Sequence, residues 1–317
     1  MDNFQLLKKQ LPWVRKDVLL KDHTTFRIGG PAKYFFVAKT NNAIEKAVAA
    51  ARRLKIPFFI LGAGSNVLAS DKGFEGLVIQ LKTINYKLKT TRLYAEAGVS
   101  MSTLVRETGK RGLAGLEWAG GLPGTVGGAT RGNAGAFGGE VKDTIVQVEA
   151  IDEKGKRRIF SHKECHFGYR SSIFKEKNLV VLSAVFHLQR GSREGIQDVA
   201  KDHIRYRKER HPLEYPNAGS IFKNCDLTKV PKTLREEMNE VIKMDPFPVI
   251  PTAALIARAT LQGLRVGDAQ VSEKHPNYIV NRGNARAKDI LELIAKVKKR
   301  IKNKFGVELE EEISFPH

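Results

Sequence analysis

The sequence contains little cysteine and no long uncharged apolar segment. Cys165 and Cys225 are its only cysteines, and because their separation fits no metal-ligand spacing, we expect no metal site and a reducing cytoplasm. The longest apolar stretch, 56–69, is interrupted by glycines and is shorter than the roughly 18 residues that a membrane span requires. The first residues mix Lys8 and Lys9 into a short apolar pattern, which is not the continuous apolar core of a signal peptide. We therefore expect a cytoplasmic protein without a membrane partner.

Acidic residues are scarce relative to basic ones. There are 34 Asp and Glu against 54 Lys and Arg, which gives a net charge of +20. Such a charge suits nucleic-acid binding, but the basic residues are spread along the chain and cluster only briefly, as at Lys296–Arg300. No zinc-finger or RNA-binding aromatic signature accompanies them. The favoured interpretation is a solvated basic surface that attracts anionic metabolites, and nucleic-acid binding is the less favoured alternative.

Glycine is abundant, and it is concentrated in one segment. Residues 119–139 read AGGLPGTVGGATRGNAGAFGG and hold nine of the 28 glycines. Glycine costs conformational entropy on folding, so a dense run among apolar anchors such as Leu122 and Phe137 indicates a specific need. The usual need is a backbone that lies close to a ligand, with N–H groups turned toward a phosphate. The run therefore predicts a binding site for a phosphate-bearing cofactor.

A second small-residue turn, GAGSN at 62–66, follows an apolar strand. A dinucleotide-binding fingerprint would need a third glycine where Val67 stands, so the Rossmann interpretation fails. The turn could hold an anion through converging N–H groups, or it could be an ordinary junction between a strand and a loop. The turn alone does not separate these alternatives.

Hydrophobic periodicity divides the chain into three parts. Residues 33–79 predict strand, helix, strand and strand, which favours an α/β layer. Ser100 is a candidate helix cap, and Glu153–Gly155 predicts a hairpin turn. A charged helix leads to Pro212, a plausible domain boundary, and the final third predicts two helices and a closing strand, VELEEEISF.

Six segments in order resemble the UDP-N-acetylenolpyruvoylglucosamine reductase family. They are LGAGSNVL, GLPGTVGG, NAGAFGG, FGYRSSIFK, NAGSIFKN and LEEEISF. The likeness extends from about His23 to Phe315. The interval between Arg170 and Ser220 is too short for the extra loop, with its substrate-closing tyrosine, of one branch of the family. The chain therefore resembles the shorter, second type.

The resemblance implies an α+β fold. A two-part FAD-binding unit of the vanillyl-alcohol-oxidase (PCMH) type would span about 27–193 and precede a C-terminal α+β substrate domain. We place the first FAD-binding subdomain at 1–80, the second at 81–200 and the substrate domain at 201–317.

The implied activity is the NADPH-dependent reduction of UDP-N-acetylglucosamine enolpyruvate to UDP-N-acetylmuramate through FAD, in peptidoglycan precursor synthesis. The expected partners are this substrate and NADPH, with no nucleic acid and no membrane, and the chain is expected to be a monomer. Another FAD-linked oxidase of the same superfamily is the alternative.

The resemblance also assigns catalytic residues. Arg170 would hold the enolpyruvyl carboxylate, because a guanidinium matches its two oxygens. By the same resemblance Ser220 would donate a proton. No nucleophile-elbow pattern surrounds it, so acyl transfer is not indicated. Glu312 would stabilise the enolic intermediate together with Arg170, although Glu310 stays open as the catalytic acid. Lys223 is a candidate for electrostatic help to Ser220 or for a substrate phosphate.

The remaining implied site residues fall into two groups. Predicted cofactor-binding residues are Gly62, Gly64, Ser65, Asn66, Gly121, Leu122, Pro123, Thr125, Gly127, Asn133 and Gly135. Predicted substrate-binding residues are Tyr169, Lys223, Asn224 and His275. Gly132, Cys225 and Asp268 depart from the family pattern, and none of these departures removes a catalytic group.

Overall fold

The structure, a computed structural model, describes residues 2–245 and 247–316. It separates into two compact units. Unit 1 comprises 1–18, 31–63 and 74–207, and unit 2 comprises 19–30, 64–73 and 208–317. Met1, Pro246 and His317, which fall within the predicted domain ranges, lie outside the described residues. The predicted boundaries at 80 and 200 stay predictions.

Unit 1 contains both larger sheets. Its helices are α1 (Asn3–Gln10), α2 (Asn41–Arg53), α3 (Met101–Gly109), α4 (Val126–Arg131), α5 (Ile173–Glu176) and most of α6 (Arg193–Arg210), whose last three residues are counted in unit 2. Its strands are β1 (Arg15–Leu19), β2 (Pro31–Ala38), β3 (Phe58–Leu61), β4 (Phe74–Leu81), β5 (Tyr86–Lys89), β6 (Arg92–Glu96), β7 (Leu113–Ala114), β8 (Gly135–Ala136), β9 (Gly139–Glu140), β10 (Ile145–Ile151), β11 (Arg157–Ser161), β12 (Val180–His187) and β13 (Gln189–Arg190).

The first sheet has the order β1-β2-β4-β3, and β4 pairs parallel with both β2 and β3. Parallel strands need a crossover, which α2 supplies between β2 and β3. The apolar face of α2 buries Ile44, Ala47 and Val48 in the core of the unit. The predicted order of strand, helix, strand and strand is confirmed, and GAGSN begins directly after β3.

The second sheet is antiparallel, with the order β11-β10-β12-β6-β5. The predicted hairpin turn joins β10 to β11, where Ile151 pairs with Arg157. Ser100 caps α3 as predicted, because its hydroxyl accepts the Thr103 N–H at 3.1 Å. The glycine-rich run follows α3 and contains α4, β8 and the start of β9.

Unit 2 has its own apolar core and smaller elements. They are β14 (Cys225–Asp226), α7 (Lys232–Glu237), β15 (Val249–Ile250), α8 (Thr252–Arg258), β16 (Arg265–Val266), β17 (Ala269–Val271), β18 (Ile279–Asn281) and α9 (Ala287–Phe305). The long helix α9 buries Ile290, Leu293 and Val297 against that core.

The closing segment differs from its prediction. Residues 307–315 form no regular strand; they make isolated bridges, from Glu311 to Phe222 and from Ser314 to Val67. The alternating pattern of the tail reflects an extended chain whose neighbours are single residues instead of a continuous strand. Within the described part of the chain, no helix has the length and apolar character needed to cross a membrane.

Candidate functional site

The two glycine-containing turns meet in unit 1. A Cβ at Gly62 would lie 2.7 Å from Thr125 Oγ1, so a larger residue there would force Thr125 to move. Thr125 precedes α4, and its hydroxyl accepts the Gly128 N–H at a long 3.5 Å. The strand end and the glycine-rich run, which are far apart in sequence, therefore form one surface.

The GAGSN turn continues into unit 2, where its carbonyl oxygens are bound. Gly64 O accepts from Thr25 N at 3.1 Å and from Thr25 Oγ1 at 3.2 Å, and Asn66 O accepts the Ser314 N–H at 2.9 Å. The C=O and N–H of one planar trans peptide point in opposite directions. The Ser65 N–H therefore points away from Thr25.

Gly121 and Gly127 in the glycine-rich run suit glycine for different structural reasons. Gly121 has a φ of 73°, a conformation that favours glycine. Gly127 lies against Ala97: its N–H donates to Ala97 O at 2.9 Å, and a Cβ would approach Ala97 Cβ to 2.8 Å. Leu122 is half-buried, and Pro123 and Gly128 are exposed. The run thus presents backbone and two apolar side chains on a surface that Gly127 supports from behind.

Asn133 and Gly135 join this run to the segment that carries Arg170. The buried Asn133 amide donates to Gly168 O at 3.0 Å, and its Oδ1 accepts the Lys142 N–H at 3.0 Å. Gly135 O accepts from Arg170 Nη2 at 2.9 Å. Both contacts position the FGYR segment, a role that the sequence did not indicate.

Arg170 itself has a left-handed backbone, with a φ of 54°. This conformation is uncommon for a residue other than glycine and is often found at functional sites. Its guanidinium carbon lies 5.0 Å from the centre of the Tyr169 ring, within cation–π range. The hydrogen bond to Gly135 O and the adjacent ring together orient the guanidinium.

In unit 2, Ser220 lies in an extended segment, 220–223, that follows a turn. The Asn217 side chain forms that turn, because its Oδ1 accepts the Gly219 N–H at 3.0 Å. Gly219 has a φ of 79°, and nothing lies within 4 Å of the place where its Cβ would be. Space is therefore open beside Ser220, which forms a single antiparallel bridge with Tyr278.

The tail lies along the other edge of this segment. Glu312 N–H donates to Ile221 O at 2.8 Å, and Lys223 N–H donates to Glu310 O at 2.9 Å. Ser220, Lys223 and Glu312, which the sequence predicted from two distant motifs, therefore belong to one local assembly.

Two of the tail glutamates, Glu310 and Glu311, form ion pairs with different lysines. The Glu310 carboxylate, 57% exposed, contacts Lys223 Nζ at 3.1 Å and Lys229 Nζ at 3.2 Å. These lysines, Lys223 first, lower the pKa of Glu310 below its ordinary value. The Glu311 carboxylate contacts Lys298 Nζ at 2.7 Å.

Asn224 and Lys223 are also fixed through Thr252. The Thr252 hydroxyl donates to Lys223 O at 2.5 Å, and Thr252 N–H donates to Asn224 Oδ1 at 3.3 Å. The same hydroxyl lies 3.5 Å from the Sγ of Cys225, which is buried. The buried thiol at this departure from the family pattern therefore has a specific neighbour.

His275 belongs to an aromatic cluster that the sequence did not reveal. Its ring centre lies 4.7 Å from that of Tyr278 and 5.2 Å from that of His211, and the Tyr278 hydroxyl lies 2.9 Å from His211 Nδ1. Burial lowers the pKa of His275 from 6.5 to about 4. The imidazole is therefore neutral near pH 7 and does not serve as a cation for phosphate there.

The predicted site residues divide between the units. Unit 1 holds Gly62, the glycine-rich run, Tyr169 and Arg170, whereas unit 2 holds Gly64 to Asn66, Ser220 to Asn224, His275 and Glu312. The close approach at Gly62 and the orientation of the Ser65 N–H fit a phosphate-bearing cofactor. No cluster of His, Cys, Asp and Glu within the described residues could hold a metal ion.

Comparisons with known proteins find similarity over nearly the whole chain. Residues 32–161 match the model of an FAD binding domain, and residues 211–316 match that of the UDP-N-acetylenolpyruvoylglucosamine reductase C-terminal domain. The reductase of Caldanaerobacter subterraneus is 41% identical over 93% of this chain and 90% of its own, and that of Clostridium novyi is 39% identical over 95% and 91%.

Solved structures agree. The crystal structure of UDP-N-acetylenolpyruvylglucosamine reductase from Thermus caldophilus is 33% identical, covers 96% of this chain and 99% of its own, and superposes with a TM-score of 0.76. A Phl p 4 variant described as a glucose oxidase, 16% identical, covers 61% of this chain and 45% of its own with a TM-score of 0.50, a likeness of fold alone. The predicted α+β fold with a PCMH-type FAD-binding unit is therefore confirmed, and the chain belongs to the UDP-N-acetylenolpyruvoylglucosamine reductase family.

Proposed function

We propose that this chain reduces UDP-N-acetylglucosamine enolpyruvate to UDP-N-acetylmuramate with NADPH, in peptidoglycan precursor synthesis. Membership of the reductase family, with identity of 41% over 93% of the chain, carries this conclusion. The protein is an FAD-dependent oxidoreductase. When bound, FAD would supply the hydride-transfer chemistry that links NADPH to the substrate.

FAD fits the residues of the two turns. Gly62 and Thr125 bring the turns together, and the bound carbonyl of Gly64 directs the Ser65 N–H away from Thr25. A diphosphate suits such N–H groups, and Leu122 and Pro123 offer apolar contact to a flavin ring. Three predicted cofactor residues, Gly127, Asn133 and Gly135, make contacts with other parts of unit 1. We propose that they support the cofactor-binding surface from its protein side.

Arg170 is proposed to bind the enolpyruvyl carboxylate. Its hydrogen bond to Gly135 O and its position beside Tyr169 fix the guanidinium plane. A fixed guanidinium provides two parallel donors for a carboxylate, and it stabilises the negative charge that develops when C3 accepts a hydride.

Ser220 is proposed to protonate C2, and Glu312 to stabilise the enolic species. A serine hydroxyl is a weak acid, so it can protonate only a strongly basic carbon or act where its alkoxide is stabilised. Lys223, whose backbone is fixed three residues from Ser220, is a candidate for that stabilisation or for a substrate phosphate. The lowered pKa of Glu310 makes that side chain a poor acid, which supports the choice of Glu312.

An anaerobic experiment tests the reaction. NADPH should bleach the yellow holoenzyme, and UDP-N-acetylglucosamine enolpyruvate should restore the colour with formation of UDP-N-acetylmuramate. UDP-N-acetylglucosamine, which lacks the enolpyruvyl group, is the matched control and should leave the enzyme bleached. Failure of the enolpyruvate substrate to restore the colour would refute the proposal.

Ser220→Ala tests the role of the serine. Reduction of the flavin by NADPH should be largely intact, whereas formation of product should nearly stop, because only the second half-reaction needs a proton donor at C2. An equal loss of both half-reactions would contradict the role of Ser220.

We further propose that the enzyme is a cytoplasmic monomer that binds neither nucleic acid nor membrane. The net charge of +20 would instead increase encounter rates with the anionic substrate and NADPH. Light scattering of the holoenzyme at micromolar concentration should give the mass of one chain, 35.3 kDa.

A further inference from the structure

The segment that carries Ser220 has unusually little support from regular structure. Residues 220–223 belong to no sheet and form only two isolated bridges, from Ser220 to Tyr278 and from Phe222 to Glu311. In an extended segment, a shift of one residue turns every side chain to the opposite face. Some other interaction has to fix the register of this segment, because the register determines the face on which the Ser220 hydroxyl lies.

Asn277 supplies that interaction with both its backbone and its side chain. Its backbone oxygen accepts the Ile221 N–H at 2.8 Å. Its side-chain Oδ1 accepts the Phe222 N–H at 3.1 Å, and its Nδ2 donates to Phe222 O at 2.8 Å. A carboxamide carries the same donor and acceptor as a peptide, so the side chain of Asn277 acts as one residue of a neighbouring strand.

These hydrogen bonds are formed by buried residues. Asn277 is 3% exposed, Phe222 is 2% exposed and Ile221 is fully buried. Loss of the carboxamide would leave the N–H and C=O of Phe222 buried without partners, which costs more than the net gain of an average hydrogen bond. The segment would then shift to find other partners.

The same residues connect Ser220 to Glu312. The Ile221 N–H donates to Asn277 O, and Ile221 O accepts the Glu312 N–H at 2.8 Å. One peptide segment therefore lies between Asn277 and the tail, and a displacement of Phe222 moves both proposed catalytic residues.

We propose that Asn277 is a positioning residue for the product-forming half-reaction, which it serves by fixing the register of 220–223 through its carboxamide. This inference rests on the proposed roles of Ser220 and Glu312. Asn277 acts through the backbone of Phe222, and its effect is confined to the step that uses Ser220.

Two variants test the proposal in the FAD-loaded enzyme. Asn277→Leu keeps a similar shape without hydrogen bonds. It should slow product formation from the reduced enzyme by about 10–100-fold, because small misplacements of reacting groups have effects of that size. Reduction by NADPH should change less than about twofold, and half-saturation by the substrate less than about threefold, because each depends on other groups.

Asn277→Asp provides a readout that a purely structural role would not give. A protonated Asp has the donor and acceptor of Asn, whereas an ionised Asp cannot donate to Phe222 O. Burial raises the pKa of such a carboxyl, so the rate relative to wild type should be near normal at pH 5.5 and fall toward that of the Leu variant by pH 8.5. Wild type measured over the same pH range is the reference for the titratable groups that both enzymes share: His211, His275, Tyr278, Glu310, Glu311 and Glu312.

Asn281→Asp is the matched control. Asn281 is 2% exposed, and its Nδ2 donates to Phe26 O at 3.2 Å, while its Oδ1 accepts the N–H groups of Gly283 and Ala285. These hydrogen bonds of its carboxamide go to residues outside 220–223, so the ratio of the two half-reactions should match that of wild type even if the protein is less stable.

Three outcomes would overturn the proposal: a flat pH ratio for Asn277→Asp, an equal loss of both half-reactions, or a change in substrate half-saturation alone. If the Leu variant does not fold, the Asp variant decides the question by itself at low and high pH. A wild-type enzyme that forms no product would instead refute the proposed function, so the two failures are distinguishable.

Discussion

The Asn66 side chain donates a hydrogen bond from Nδ2 to Glu312 O at 3.1 Å. Asn66 ends the GAGSN turn, and Glu312 is the proposed catalytic acid of the tail. The connection continues from Ser314 N to Asn66 O at 2.9 Å and from Leu68 N to Ser314 O at 3.0 Å. Within unit 2, the turn predicted to bind the cofactor diphosphate therefore also fixes the backbone of the acid.

Replacing the two candidate acids separately should decide between them. Glu312→Gln should slow product formation by at least about 100-fold, the size of effect seen when a group that stabilises transition-state charge is removed. Glu310→Gln removes contacts with Lys223 and Lys229, and because exposed ion pairs contribute little, its rate should stay within about threefold of wild type. Single-turnover product formation measures both. A larger loss in Glu310→Gln would transfer the role to Glu310.

Arg170→Lys should weaken use of the substrate while leaving flavin reduction by NADPH intact. Lysine keeps the charge but loses the paired donors and the planar group beside Tyr169, so kcat/KM for the enolpyruvate substrate should fall by about 10–100-fold. Arg131→Lys is the matched control in the same unit, since Arg131 Nη2 donates to Asn178 Oδ1 at 3.3 Å. Steady-state kinetics of the two variants should differ clearly, and equal losses would argue against a specific carboxylate site at Arg170.

Local chemistry made part of this molecule predictable. Ser100 caps α3 because a hydroxyl before an amphipathic run suits an N-terminus, and the hairpin after β10 follows from alternation and Gly155. Within the glycine-rich run, Gly127 lies against Ala97, a close approach inside the protein, whereas the predicted approach of the run to a ligand stays a prediction. Each of these features depends on short-range pattern or on the steric limits of one residue type.

The unpredicted features depend on contacts between distant parts of the chain. Asn277 pairs with Phe222 across 55 positions, and Tyr278 pairs with His211 across 67. Nothing in the segment HPNY at 275–278 distinguishes a carboxamide that hydrogen-bonds to a distant peptide from one that faces solvent. The tail could not be recognised as irregular for the same reason, since its alternation is that of a strand while its neighbours are single residues.

Gly128→Ala should have opposite effects on the apoprotein and on cofactor binding. Gly128 is exposed, and a Cβ there would have only Thr125 Oγ1 nearby, at 3.8 Å. Alanine should stabilise the apoprotein by about 0.5–1 kcal/mol because it restricts the unfolded chain and favours α4. If the cofactor lies against this surface, the added methyl should weaken FAD binding by about tenfold.

Urea unfolding of the apoprotein and titration with FAD measure the two effects of Gly128→Ala. Gly127→Ala is the matched control, because its Cβ would meet Ala97 Cβ at 2.8 Å and destabilise the apoprotein itself. An unchanged FAD affinity in Gly128→Ala would place the cofactor elsewhere.

His275 should make the stability of the holoenzyme depend on pH in mildly acidic solution. Its folded pKa of about 4 lies below the ordinary 6.5, so between these values the unfolded chain binds the proton more readily. The stabilising contribution of neutral His275 is therefore complete above pH 6.5 and declines as pH falls toward 4. His275→Gln, which cannot titrate, should lose less stability than wild type between pH 7.5 and pH 4.5, by about 2 kcal/mol. Urea unfolding at the two pH values with equal FAD measures the difference, and parallel losses in both proteins would show that His275 titrates normally in the folded state.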